Sequence, residues 1–133
     1  MEYWLDSAEV AAHGDPAEGL RVRTLFGEGR GCRMFEQRLL EASGDSGELR
    51  EEARDDVLYV LSGEGVAVVA GERHGLAPGA GVFVSAGTPW SVEGARGLRL
   101  LSVLVREPLP AGAAYAVVEG SHRAGATAGR GKA

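Results

Sequence analysis

The stretch from Asp55 to Gly94, DDVLYVLSGEGVAVVAGERHGLAPGAGVFVSAGTPWSVEG, allows this chain few alternatives. Its apolar runs are too short for helices and are separated by glycine- and proline-containing turns, the pattern of consecutive short β-strands. Val57–Leu61 reads as a strand, Ser62-Gly63-Glu64-Gly65 as a tight hairpin, and Val66–Ala70 as the returning strand. Gly71-Glu72 is a further turn, Arg73–Leu76 a short strand, and Ala77-Pro78-Gly79-Ala80 a proline-glycine turn of type II. Val82–Val84 and Trp90–Val92 follow on either side of Ser85-Ala86-Gly87-Thr88-Pro89.

The flanks extend the pattern. Leu20–Phe26 alternates apolar with basic residues, the period of a half-buried strand. Cys32–Glu41 is a second strand, on which Phe35, Gln37 and Leu39 share one face and Glu36, Arg38 and Leu40 the other; Gln37 is assigned to the inner face. The acid-rich stretch from Ala42 to Asp56 has no apolar period and reads as a loop. Leu98–Val105 is the longest apolar strand, ended by Pro108 and Pro110, and Tyr115–Val118 can add an edge strand. The segment SAEVAA near the start can form a helical turn or a short edge strand, and Asp15-Pro16 signals a turn. Residues 1–119 are read as a single domain, and 120–133, without a core-forming residue, as a flexible tail or linker. About eight to ten short strands without a long helix imply an all-β jelly roll or barrel.

Composition excludes several classes of function. A net charge of -5 with no basic patch argues against a nucleic-acid partner. No run has the length of a signal peptide or membrane span, so the expectation is a cytoplasmic protein with no membrane partner. The single cysteine, Cys32, has no Cys or His nearby in sequence and is expected to be a buried, reduced thiol.

The chain resembles the cupin family over roughly residues 33–105. The first cupin motif, G(X)5HXH(X)3,4E(X)6G, meets Gly44, Arg50, Glu52, Asp56 and Gly63; the second, G(X)5PXG(X)2H(X)3N, meets Gly79, Ser85, Gly87, Trp90 and Gly94. The resemblance implies a cupin-type jelly-roll β-barrel. It also implies a metal site at the three histidines and one glutamate of those motifs, and here Arg50, Glu52 and Trp90 replace the histidines while Asp56 replaces the glutamate. A guanidinium has no lone pair to donate and an indole none available, so no metal cofactor is expected, Glu52 and Asp56 being weak ligands at most.

Pocket candidates are therefore Gln37, Arg50, Glu52, Asp56 and Trp90. Arg50, Glu52 and Asp56 are expected to form an internal charge cluster beneath Trp90, which either satisfies itself or leaves Arg50 to anchor a carboxylate or phosphate of a ligand. Trp90 either packs in the core or stacks on a planar ligand, and Gln37 is satisfied by backbone and water or used on a ligand. His74, outside both motifs, reads as a surface side chain. Three functions remain open: a metal-independent barrel binding a small organic molecule; an enzyme, either a metal-free isomerase or cyclase or metal-dependent through unusual ligands; and a structural or accessory barrel acting as a dimer or as half of a two-cupin protein. A homodimer is expected, because apolar strands at the barrel surface need cover.

Overall fold

The structure, a computed structural model, describes residues 4–14 and 19–106. Six strands account for most of it: β1 Leu20–Phe26, β2 Phe35–Gly44, β3 Asp55–Val69, β4 Glu72–Leu76, β5 Gly81–Val84 and β6 Trp90–Val105. Every pairing is antiparallel, in the order β1-β2-β6-β3-β4, with β5 also on β3. Alternation along the strands sets the interior. Asp56, Leu58 and Val60 on β3 are buried while Val57, Tyr59 and Leu61 between them are exposed. On β6, Leu98, Leu100, Ser102 and Leu104 alternate in the same way.

Two long strands, β3 and β6, tie the others together. The first half of β3 pairs with β5, Asp56–Tyr59 against Val84–Gly81, and its second half with β4, Gly65–Val69 against Leu76–Glu72. Strand β6 accompanies β3 along nearly its whole length, with register shifts around Ser62 and Glu64. Irregularities of this kind bend a strand and raise its twist, so one continuous ladder turns from one sheet of the jelly roll into the other. The all-β jelly roll expected from the sequence is the observed architecture.

Strand count and connectivity differ from the sequence reading. Val57–Leu61 and Val66–Ala70 do not form a hairpin about Ser62–Gly65; they are the two ends of one strand, and both pair with β6. Trp90–Val92 and Leu98–Val105 likewise belong to the single strand β6. Glycines at positive φ serve a bulge as well as a turn, so the local signal was the same. The Ala77–Ala80 turn is as expected, with Ala80 N–H donating to Ala77 C=O at 3.0 Å and Gly79 at φ 94°. Near the start, Ser7–Glu9 forms one 3-10 turn capped by the Asp6 carboxylate. Cys32 is half-buried where full burial was expected, because its loop lies outside the strands. The turn at Asp15-Pro16, the strand at Tyr115–Val118 and the tail 120–133 lie outside the described residues. Among the described residues no helix is long and apolar enough to cross a membrane.

The turn joining β3 to β4 carries a local conflict. Val69 pairs with Glu72, so the loop is Ala70-Gly71, and both lie in the left-handed region at φ 49° and 85°. That is the two-residue connection favouring Asn-Gly, and alanine is penalised there by its Cβ. Ala70→Asn is expected to stabilise the fold by about 0.5–1 kcal/mol, since the side chain is exposed and nothing else need move. A lower denaturation midpoint for the variant would contradict the turn geometry.

Candidate functional site

Three neighbouring strands bring charge into the barrel. Arg38 on β2 lies directly opposite Ser102 on β6, and Ser102 in turn lies opposite Leu58 on β3, one inward position from Asp56. All three side chains meet. The Ser102 hydroxyl donates to Asp56 Oδ1 at 2.7 Å, and Arg38 Nη2 donates to Asp56 Oδ2 at 3.2 Å. Arg38 Nε and Nη2 also donate to Ser102 Oγ at 3.3 and 3.2 Å. Asp56 is 2% exposed and Ser102 fully buried. Burial pushes the Asp56 carboxyl above its ordinary value near 3.8, and the Ser102 hydrogen bond and the Arg38 charge oppose that shift.

Above this triad lies a cavity of about 110 Å³. Leu20, Leu40, Leu49 and Trp90 form its apolar wall; Arg38, Arg50, Glu51 and Asp56 supply polar atoms. Trp90 is 5% exposed and sits on the same side of β6 as the fully buried Val92. The loop between β2 and β3 forms one wall because it is stitched to β6. Leu49 and Trp90 exchange backbone hydrogen bonds at 2.7 and 2.9 Å, and the Ser46 hydroxyl and Asp45 carboxylate accept from the Val92 and Gly94 N–H groups, both at 2.9 Å. A second cluster braces the same loop: Arg54 donates to Glu36 Oε1 at 3.1 Å and to Glu51 Oε1 at 3.0 Å. The Arg54 hydrogen bond holds the Glu51 carboxyl below the usual carboxylate range, and that same bond raises the Arg54 guanidinium.

The sequence reading and the structure diverge here in three places. Asp56 and Trp90 are inward as expected and border one cavity, but Asp56 pairs with Arg38, not with Arg50. Arg50 reaches the cavity from its rim, with its side chain 43% exposed, and lies 3.7 Å from Glu52 and 3.9 Å from Glu48. Glu52 does not join the interior: its side chain is 72% exposed. Gln37 is corrected as well, since alternation puts it on the face of β2 opposite to Arg38 and Leu40. Its assignment inward rested on its sharing a face with the apolar Phe35 and Leu39, whereas the opposite face carries Arg38 to the buried Asp56. Sequence reasoning missed Arg38, Ser102 and Arg54. A signal existed for Arg38: Asp56 alternates with Leu58 and Val60 on a buried face, and a carboxylate there requires a cation from an adjacent strand. His74 is on the surface as expected, half-exposed and 3.5 Å from Glu72.

The donor set does not fit the metal that the motif positions imply. Both Asp56 oxygens are engaged by Ser102 and Arg38, Glu52 faces solvent, and Arg50 and Trp90 have no electron pair to offer. Among the described residues no group of three or more His, Cys, Asp or Glu side chains could hold a metal ion.

An antiparallel jelly roll with a small cavity bordered by Arg50, Asp56 and Trp90, residues at three positions of the two motifs, defines a cupin-type barrel. The chain belongs to the cupin family, whose cupin-domain model matches residues 38–104. Similar solved structures include the polyketide cyclase RemF from Streptomyces resistomycificus, at 24% identity and a TM-score of 0.66, covering 81% of this chain and 83% of that one. KdgF from Halomonas sp. has the same TM-score at 13% identity, covering 81% of this chain and 96% of its own. Pac13 from Streptomyces, a nucleoside dehydratase, follows at 13% identity and a TM-score of 0.65, covering 80% of this chain and 83% of its own. At such identities the likeness is one of fold. No curated protein sequence matches the chain.

Proposed function

We propose that this protein binds a small organic molecule at the mouth of its barrel without a resident metal. The observation supporting this reading is the cavity between Trp90 and the Arg38–Asp56 pair, where apolar walls meet a few polar groups. Its volume of about 110 Å³ equals the liquid share of roughly three to four waters. It therefore suits a very small molecule or one end of a larger one. Native mass spectrometry of untagged protein, paired with elemental analysis, tests the reading. The expected result is an organic mass retained without stoichiometric metal; stoichiometric metal would overturn it.

A metal-free enzyme is the second reading, favoured by the buried Asp56 carboxyl at the cavity floor, which burial pushes upward. A polyketide cyclase and a nucleoside dehydratase are among the proteins of similar fold. Binding remains the preferred reading because both Asp56 oxygens are committed to Ser102 and Arg38, leaving the carboxylate poorly disposed to take a substrate proton.

We also propose that two copies associate through the outer face of the barrel. Val57, Tyr59, Leu61 and Phe83 are 43–60% exposed, and Phe35 is 42% exposed. They lie on adjacent strands: Val57 faces Phe83 on β5 and Val103 on β6, Tyr59 faces Leu101, and Phe35 faces Val105. None of these positions is charged, so the patch can meet itself, whereas the remainder of a chain of net charge -5 repels a copy. Contiguous apolar faces of several hundred Å² are uncommon on monomers, and this one can form the centre of an interface of roughly 800 Å² per partner. Light scattering is expected to give twice the chain mass at micromolar concentration, reverting to one chain in Tyr59→Glu with Phe83→Glu. A wild-type monomer would refute the association.

A further inference from the structure

Arg50 differs from the other charges around the cavity. Asp56 is bonded by Arg38 at 3.2 Å, and Glu51 and Glu36 share Arg54 at 3.0 and 3.1 Å, so each of those charges has a hydrogen-bonded counter-charge. Arg50 is left with Glu48 at 3.9 Å and Glu52 at 3.7 Å, beyond hydrogen-bond range, and both acids have largely exposed side chains at 68% and 72%. Ion pairs so open to solvent contribute little and are readily exchanged for another anion. A cation with loose partners thus stands at the rim of a pocket whose inner wall is apolar.

We infer that this cavity is a carboxylate site, taking a short-chain monocarboxylate or the carboxylate end of a larger molecule. The inference rests on the small-molecule reading above and gives it a chemical class. The planar guanidinium of Arg50 matches a carboxylate through two parallel hydrogen bonds. The hydrocarbon part lies against Leu40, Leu49 and Trp90. Charge selects a monoanion: one loosely paired cation balances one negative charge, and a second would approach Glu51 and Asp56 on the same wall. Volume selects a short chain, because about 110 Å³ leaves no room for an extended hydrocarbon or a fused ring.

The test uses the full chain and two probes of nearly the same shape, butyrate and butyramide. Binding is followed by NMR at the Trp90 indole N–H, told apart from that of Trp4 by a Trp4→Phe variant. Butyrate is expected to shift the Trp90 signal saturably, with butyramide binding about tenfold or more weakly, as the loss of a charge-assisted pair implies. Arg50→Gln is expected to reduce butyrate to the level of the amide, its folding verified by the unchanged spectrum elsewhere. Equal binding of acid and amide, or butyrate binding untouched by Arg50→Gln, would overturn the carboxylate assignment while leaving the small-molecule reading in place. No shift with either probe, together with no organic mass retained by the purified protein, would overturn both.

Discussion

Arg38→Ala is expected to lower stability by about 3 kcal/mol near neutral pH, because it strands the Asp56 carboxylate in the interior. Asp56 is 2% exposed and among the described residues has no other cation bonded to it, so water cannot take over the role of the guanidinium. The loss should depend on pH in a defined sense. In the native protein the Asp56 carboxyl is already raised above 3.8 by burial, so its protonated form favours folding; that contribution is complete below the ordinary value and is lost as pH rises through the raised one. Glu51 pushes it in the same direction, and Ser102 and Arg38 push against it. Removing Arg38 moves the titration further up, so the deficit of the variant should be small in acid and grow toward neutrality. Guanidinium unfolding across that range measures it. Arg38→Ala combined with Asp56→Asn should recover much of the loss, since the stranded charge is gone. A deficit under about 1 kcal/mol, constant with pH, would mean that the pair is wet and structurally incidental.

Gly63→Ala is expected to be more damaging still, at about 3–5 kcal/mol, enough to abolish soluble expression of a domain of this size. Two costs combine. Gly63 lies at φ 82°, where a Cβ is penalised, and that Cβ would stand 2.2 Å from the carbonyl oxygen of Gly97 and 2.6 Å from Leu98 Cα. Those atoms are main chain and cannot swing aside, so the bend of β3 against β6 would have to open. Gly71→Ala separates the two costs: its φ of 85° is nearly the same, but nothing lies within 4 Å of the added carbon. Only about 1 kcal/mol is expected there. Equal melting temperatures for the two variants would show that β3 and β6 do not approach as closely at Gly63 as described.

The family of the fold was legible in the chain because it is written in short-range signals. Apolar alternation marked β1 to within its observed ends, and Pro78-Gly79 marked a type II turn at its observed place. The motif glycines Gly44, Gly63, Gly79, Gly87 and Gly94 all have positive φ, the backbone state for which glycine is suited. The position of Trp90 inside the barrel followed from alternation with Val92, and that of Asp56 from the motif register, on a strand where Leu58 and Val60 are buried as well.

Partnership between distant residues was not legible. Arg38 and Asp56 are 18 residues apart and Ser102 a further 46, and no local pattern says which arginine meets which acid. The ladder β2-β6-β3 decides it by placing Arg38 opposite Ser102 and both beside Asp56, leaving Arg50 at the rim. The same ladder decides that Gly63 sits in a bend and not in a hairpin, because a glycine's φ fixes only that the chain can turn there. Sequence therefore determined which segments are extended, the Pro78-Gly79 turn and the absence of histidine from the motif positions, all properties of a residue and its near neighbours. Tertiary structure alone decided the charge pairing and the shape of the cavity, because both depend on which strands lie side by side.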